Sequence, residues 1–203
     1  MRVFGMAGCC LLAMGTVVAG TVVAAAQMGA PTAGPAIGSI SAPSVALDSQ
    51  LSLIEQEMMG AVKAMPAEKY SFAPSAAIFG PAQKTEFATV RTFVGQVTHV
   101  AEANYFFYSS ISGLKPDVDV RGIEKLTGKD DAVAALAGSF AFAHKAIASL
   151  TAANAFEVIK SPEPGFATRF TLAGFGISHA FDHYGQMVEY LRMNGIVPPA
   201  SAK

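Results

Sequence analysis

The run His179-Ala180-Phe181-Asp182-His183 is the part of this chain whose residue types and spacing best suit chemistry. Two histidines four apart on a helix stand about 40° apart in projection, with β-carbons about 5–6 Å from each other. Both imidazoles can then reach one cation at about 2.0–2.1 Å. That spacing also arises by chance, so the setting decides its weight. Leu172, Phe175, His179, His183, Gln186 and Tyr190 project along one helical stripe, which places the pair in a core-facing surface. Two bare imidazoles side by side in a core are costly unless each finds a partner, and a shared cation is one such partner.

His99 offers a third nitrogen ligand from a separate segment. It shares a helical face with Thr92, Gly95, Gln96, Ala103 and Phe106, and the small members of that face leave room beside it. Three protein ligands with a further position open is the usual arrangement of a catalytic zinc-type site. Imidazoles without thiolates suit zinc, nickel, iron or copper. Blander readings stand beside these, since a core histidine is commonly a satisfied structural residue. His144, between Phe140 and Ile147 on an apolar stripe, reads that way. Glu102, one turn after His99, reads as a solvated helix carboxylate or as a base. Asp182 and Gln186 flank the pair as candidate hydrogen-bond partners of the ligands, and Tyr190 reads as core.

Other chemistries lack their residues. Ala180 follows His179, so the metalloprotease pattern with its glutamate base is absent. There is no Gly-rich phosphate loop, no GxSxG elbow and no ExxH pair of the di-iron type. The only cysteines are Cys9 and Cys10. The formal charge is −1, without a Lys/Arg cluster, which argues against nucleic acid as a partner.

Four helices are expected to position these residues. Leu51, Ile54, Met58, Val62 and Met65 recur at three and four residues from about Asp48, and Pro66 follows their end. A second helix is expected from about Thr85 to Ser110, apolar on most of its circumference and ended by Gly113 and Pro116. A third starts near Thr127, where Asp130 makes an imperfect capping box, with Val133, Leu136, Phe140, Ile147 and Leu150 as its core stripe. The fourth is expected from about Ala167 to Arg192, ended by Asn194-Gly195 and the prolines Pro198-Pro199. With no strand pattern, the chain reads as an all-α four-helix bundle. The long connections 66–84 and 113–126 permit crossovers.

Ahead of the bundle, residues 1–26 carry Arg2, then an apolar run ending in Ala24-Ala25-Ala26, which reads as a secretory signal. The protein is therefore expected to be exported, periplasmic or secreted. If the segment were uncleaved, its apolar run of about 24 residues is long enough to anchor the chain in a membrane. Residues 27–47 read as a flexible tether rich in Gly, Pro, Ala and Ser. The bundle spans 48–197, and 198–203 form a tail. The chain of 203 residues is long enough for one core.

The segments "TFVGQVTHVAEANYFF", "SFAFAHKAIASLT" and "HAFDHYGQMVEYLRMNGIVPPAS" resemble the DinB-like (DNA-damage-inducible) family, over roughly residues 48–201. The resemblance implies a four-helix bundle with crossover connections that binds one divalent metal ion, zinc foremost, with nickel or iron as alternatives. By the same resemblance the ligands are one histidine on the second helix and two on the last, which are His99, His179 and His183 here. Some relatives transfer a low-molecular-weight thiol to an electrophile. The implied function is a metal-dependent thiol transferase, or a hydrolase using metal-bound water, acting on a small molecule. The alternative is a non-catalytic metal-binding or stress-associated bundle, with a homodimer possible through an apolar helix face. Export weakens the thiol reading, because reduced small thiols are scarce outside the cytosol.

Overall fold

The computed structural model describes residues 36–75, 80, 86, 87 and 89–202. The expected signal segment, residues 27–35 of the expected tether and Thr85 lie outside the described residues. The second helix, expected from about Thr85, begins only at Phe93, since residues 86, 87 and 89–92 are not helical and Thr92 caps it. The chain divides after Ile37, and the unit from Gly38 onward holds every element below. It is all-helical: α1 is Pro43–Ala64, α2 Phe93–Ser112, α3 Val120–Ile123, α4 Lys129–Ala148 and α5 Arg169–Met193, with no strand among the described residues.

Local chemistry explains the boundaries. Pro43 occupies the first turn of α1, where its missing N–H costs nothing, so this helix begins ahead of Asp48. Thr92 starts α2 by accepting a hydrogen bond from the Gly95 amide at 3.1 Å. Gly113, at φ 75°, supplies the left-handed residue that closes it. The expected start at Thr127 is corrected: α4 begins at Lys129 behind Gly128, and no side chain caps it. Thr168 and Thr171 form a reciprocal capping box at the start of α5, and Asn194 with Gly195 at φ 73° ends it. The connection 113–126, expected as a loop, carries the single turn α3.

The wiring follows from which ends meet. Lys69, just beyond α1, hydrogen-bonds Asn194 at the end of α5, so these two helices run parallel. Lys129 at the start of α4 donates to the Lys63 and Met65 carbonyls at the end of α1, so α4 runs the other way. The Tyr190 hydroxyl donates to the Arg91 carbonyl, which sets α2 antiparallel to α5. Both α1 and α2 pack against α4 and α5, so consecutive α1 and α2 take opposite corners. Crossovers are therefore present. Since α2 and α4 are parallel, the chain between them must return along the length of the bundle, and it carries α3 against α2.

Apolar stripes from all four long helices fill the centre. Leu51, Ile54, Met58, Val97, Val100, Leu136, Phe140, Ile147, Leu172 and Leu191 are buried, and such side chains contribute about 1.5–3 kcal/mol each on leaving water. Tyr70 ties the α1–α2 connection to this core. It is buried, donates to the Val62 carbonyl at 2.6 Å and packs edge-on against Phe93.

Candidate metal centre

Antiparallel α2 and α5 bring residues eighty apart in sequence face to face. His99, on the second turn of α2, meets His179 and His183 in the middle of α5. The His179 Nε2 lies 3.2 Å from the Nε2 of His99 and 3.2 Å from that of His183. One nitrogen of each ring lies within 4.8 Å of the others. Two nitrogens bound at about 2.05 Å to a tetrahedral ion stand about 3.3 Å apart, and about 2.9 Å at adjacent octahedral corners. The two separations from His179 sit between those limits, and the nitrogens of His99 and His183 lie within 4.8 Å of each other, so the three rings are gathered as a candidate site for one ion.

Electrostatics favour the form a metal needs. Burial lowers the pKa of His179 to about 4, helped by the His99 charge. Burial likewise lowers that of His183 to about 4, helped by His179 and His99. His99 is lowered by burial and then by the Arg91 guanidinium, whose Nη2 stands 3.5 Å from its Nδ1. All three imidazoles are thus neutral at pH 7 and carry lone pairs. Three unprotonated nitrogens pointing at one another repel unless protons or a cation lie between them, and a cation satisfies all three at once.

A hydrogen-bonded chain behind His183 fixes its tautomer. The ring Nδ1 lies 2.5 Å from Oε1 of Gln96. Gln96 Nε2 donates to Gln186 Oε1 at 2.8 Å, and Gln186 Nε2 donates to Asp182 Oδ2 at 3.0 Å. An ionised carboxylate only accepts, so Asp182 sets the direction of both amides. Gln96 must then accept from His183, which keeps the proton on Nδ1 and leaves Nε2 free toward the other rings. Asp182 and Gln186, expected as partners of the ligands, reach His183 only through Gln96, which is the residue that bonds the ring. Gln96, the central member at 2% exposure, was noted in the sequence only as a neighbour on the His99 face. A buried amide one turn before a candidate ligand was its one available signal. By contrast the Nδ1 of His179 is buried without a hydrogen-bond partner among the described residues, and its ring packs edge-on against Phe107 at 5.5 Å.

His144 stands apart from this cluster. Its Nδ1 lies 2.6 Å from Asp48 and its Nε2 2.9 Å from Glu55, so it bridges α4 to α1 through opposite edges of the ring. That geometry is structural, in keeping with the sequence reading. Burial, the largest single influence, lowers its pKa, but the hydrogen bonds and charges of Asp48 and Glu55 together raise it. Tyr190 is buried in the core, as expected.

On the exposed side of the histidines lies a cavity of about 640 Å³, bordered by His99 and His179 at one end. Ala103, Phe106, Phe107 and Phe175 form its apolar walls, and Glu102 borders it beside His99. The returning connection supplies Pro116, Val120 and Arg121, and the segment ahead of α5 supplies Glu163. Of the residues that line it, Phe107, Ser109, Val120, Arg121 and Glu163 were not singled out from the sequence.

The fold and site together define a four-helix bundle with crossover wiring and a three-histidine cluster suited to a metal ion. The model of the DinB superfamily matches residues 50–187, more than half the chain, and the protein belongs to that family. No curated protein matches the chain.

Proposed function

We propose that this protein is a metal-dependent enzyme acting on a small molecule in the cavity beside His99 and His179, with His99, His179 and His183 holding one divalent ion, zinc foremost. The observation that carries this reading is the gathering of three histidine nitrogens within 4.8 Å of one another, with His179 Nε2 3.2 Å from those of His99 and His183, beside a cavity large enough for a small molecule. A bound ion would supply Lewis acidity, lowering the pKa of a thiol or a water in its open position. The chain's own contribution is positional. Gln96 holds the proton of His183 at Nδ1. Phe107 and Phe175 keep water from the inner edge of the His179 ring. Glu102 borders the cavity within one turn of His99 and is the carboxylate placed to take a proton there.

Export, read from residues 1–26, favours water over a thiol as the activated group, for the scarcity of reduced thiols already given. The test is elemental analysis of purified protein with His99→Ala and His183→Ala controls, followed by thiol-conjugation and ester or amide hydrolysis assays. We expect one ion per chain in the wild type and loss of most of it in each variant. Full metal content in the variants would remove the ligand assignment. Metal uptake without turnover on any substrate would leave a non-catalytic metal-binding bundle.

A further inference from the structure

The cavity itself has a chemistry that bears on what enters it. Its long wall is α2, from His99 to Ser110. At about 1.5 Å per residue, those eleven steps span about 16 Å. The wall is apolar along most of that length. Ala103 leaves the slot open next to His99, and Phe106, one turn further, is 56% exposed. Its ring meets Phe107 at 6.0 Å on one side, and the exposed remainder on the cavity wall is suited to a flat apolar partner. Deeper in, the Ser109 Oγ is buried without a hydrogen-bond partner among the described residues, although the residue borders the cavity. Such a group costs stability unless something pairs with it.

At the mouth stands Arg121, on α3. It is exposed and makes no ion pair among the described residues, although Glu163 borders the same cavity. With a divalent ion on the histidines, that ion and Arg121 outweigh the carboxylates of Glu102 and Glu163, so the cavity is positive on balance. A guanidinium reads a carboxylate, sulfonate or phosphate through paired N–H donors.

We infer that the cavity takes an elongated, mainly apolar molecule with a flat ring against Phe106 and an anionic group on Arg121. That this molecule is a substrate, and that the cavity prefers an anion, rest on the metal-dependent reading above; that an apolar ring binds does not. The probes are 2-naphthalenesulfonate, 2-naphthylmethanol and 2-naphthylmethylammonium, which share a ring and differ in charge; a sulfonate is also a poor metal ligand. Binding is followed by calorimetry or by amide shifts, on zinc-loaded and metal-free full chain. We expect zinc-loaded protein to prefer the sulfonate over the alcohol by about tenfold, and the alcohol over the ammonium. Arg121→Gln removes the preference for the sulfonate and leaves the alcohol unchanged. Phe106→Ala weakens all three probes by about three- to tenfold, and since the ring is largely exposed the fold is retained. Equal binding of the three probes, tightest binding of the ammonium, or indifference to Phe106→Ala overturns the inference. Failure of the protein to take up zinc, with ring-dependent binding retained, would instead defeat the metal reading and leave the apolar slot standing.

Discussion

Replacing Gln96 by Leu tests whether the amide chain behind His183 prepares the site. The substitution keeps the volume of the side chain but removes the acceptor 2.5 Å from His183 Nδ1 and the donor 2.8 Å from Gln186 Oε1. Loss of such a partner behind a metal ligand typically weakens metal binding about 10–100-fold, or about 1.4–2.7 kcal/mol. The upper part of that range is expected here. Gln96 is 2% exposed and His183 5%, so water has little access to replace the lost bond. With Nδ1 unpaired, the ring can also place its proton on Nε2, which blocks the ligand atom. Gln96→Glu retains an acceptor of the same shape and should keep the affinity. Asp182→Asn, at the exposed end of the chain, leaves an amide oxygen for Gln186 and should cost less than about threefold. The assay is competition for zinc against a chromophoric chelator at pH 7.5, with thermal unfolding of the metal-free variants as the fold control. A Gln96→Leu protein that folds and binds zinc within about threefold of the wild type refutes the reasoning.

The remaining predictions concern stability. His179 and His183 have folded pKa values near 4, below the ordinary histidine value of 6.5, so the unfolded chain binds more protons between those limits. Metal-free protein should therefore lose stability as pH falls from about 6.5 toward 4, by at most about 1.4 kcal/mol per pH unit for each ring. Denaturant titrations at pH 7 and pH 5 measure this, and an unchanged midpoint would count against burial of the rings. His144 has the opposite sign, because its folded pKa is raised. Its bridge between α1 and α4 is fully present below pH 6.5 and fades as pH rises through the folded value, so the stability gap between wild type and His144→Gln should narrow from pH 6 to pH 9. Zinc in excess should raise the melting temperature of the wild type and not of His183→Ala, with a shift that grows with the logarithm of free zinc. Arg169 donates through Nη1 to the Ile111 carbonyl at the end of α2 and through Nε to Glu157 at 3.1 Å; Arg169→Ala should cost about 1–2 kcal/mol in denaturant unfolding.

Much of the bundle was legible from local pattern. The periodic runs of α1 and α5 and the ending at Asn194-Gly195 follow from side-chain repeat and from hydrogen-bonding groups within a few residues, whereas the cap at Thr168 was seen only in the structure. Where local signals conflict, the pattern misleads. Thr127 and Asp130 match a capping box, yet α4 starts at Lys129 behind Gly128. Likewise α3, one turn long, is too short to show any period. The three histidines were legible as residue types, and the pair on α5 as a pair, because four residues on one helix fix their spacing without help from the rest of the chain.

What the amino-acid sequence determined by itself is therefore the helices, their apolar faces and the presence of imidazoles on two of those faces. Only the tertiary structure decided that His99 meets His179 at 3.2 Å, that Gln96 reaches His183, that His144 turns instead to Asp48 and Glu55, and that the returning connection closes a cavity with Arg121 at its mouth. The reason is physical. Periodicity and capping are set by bonds within a turn, whereas these meetings depend on the register of α2 against α5, which is the sum of many weak side-chain contacts over the whole interface.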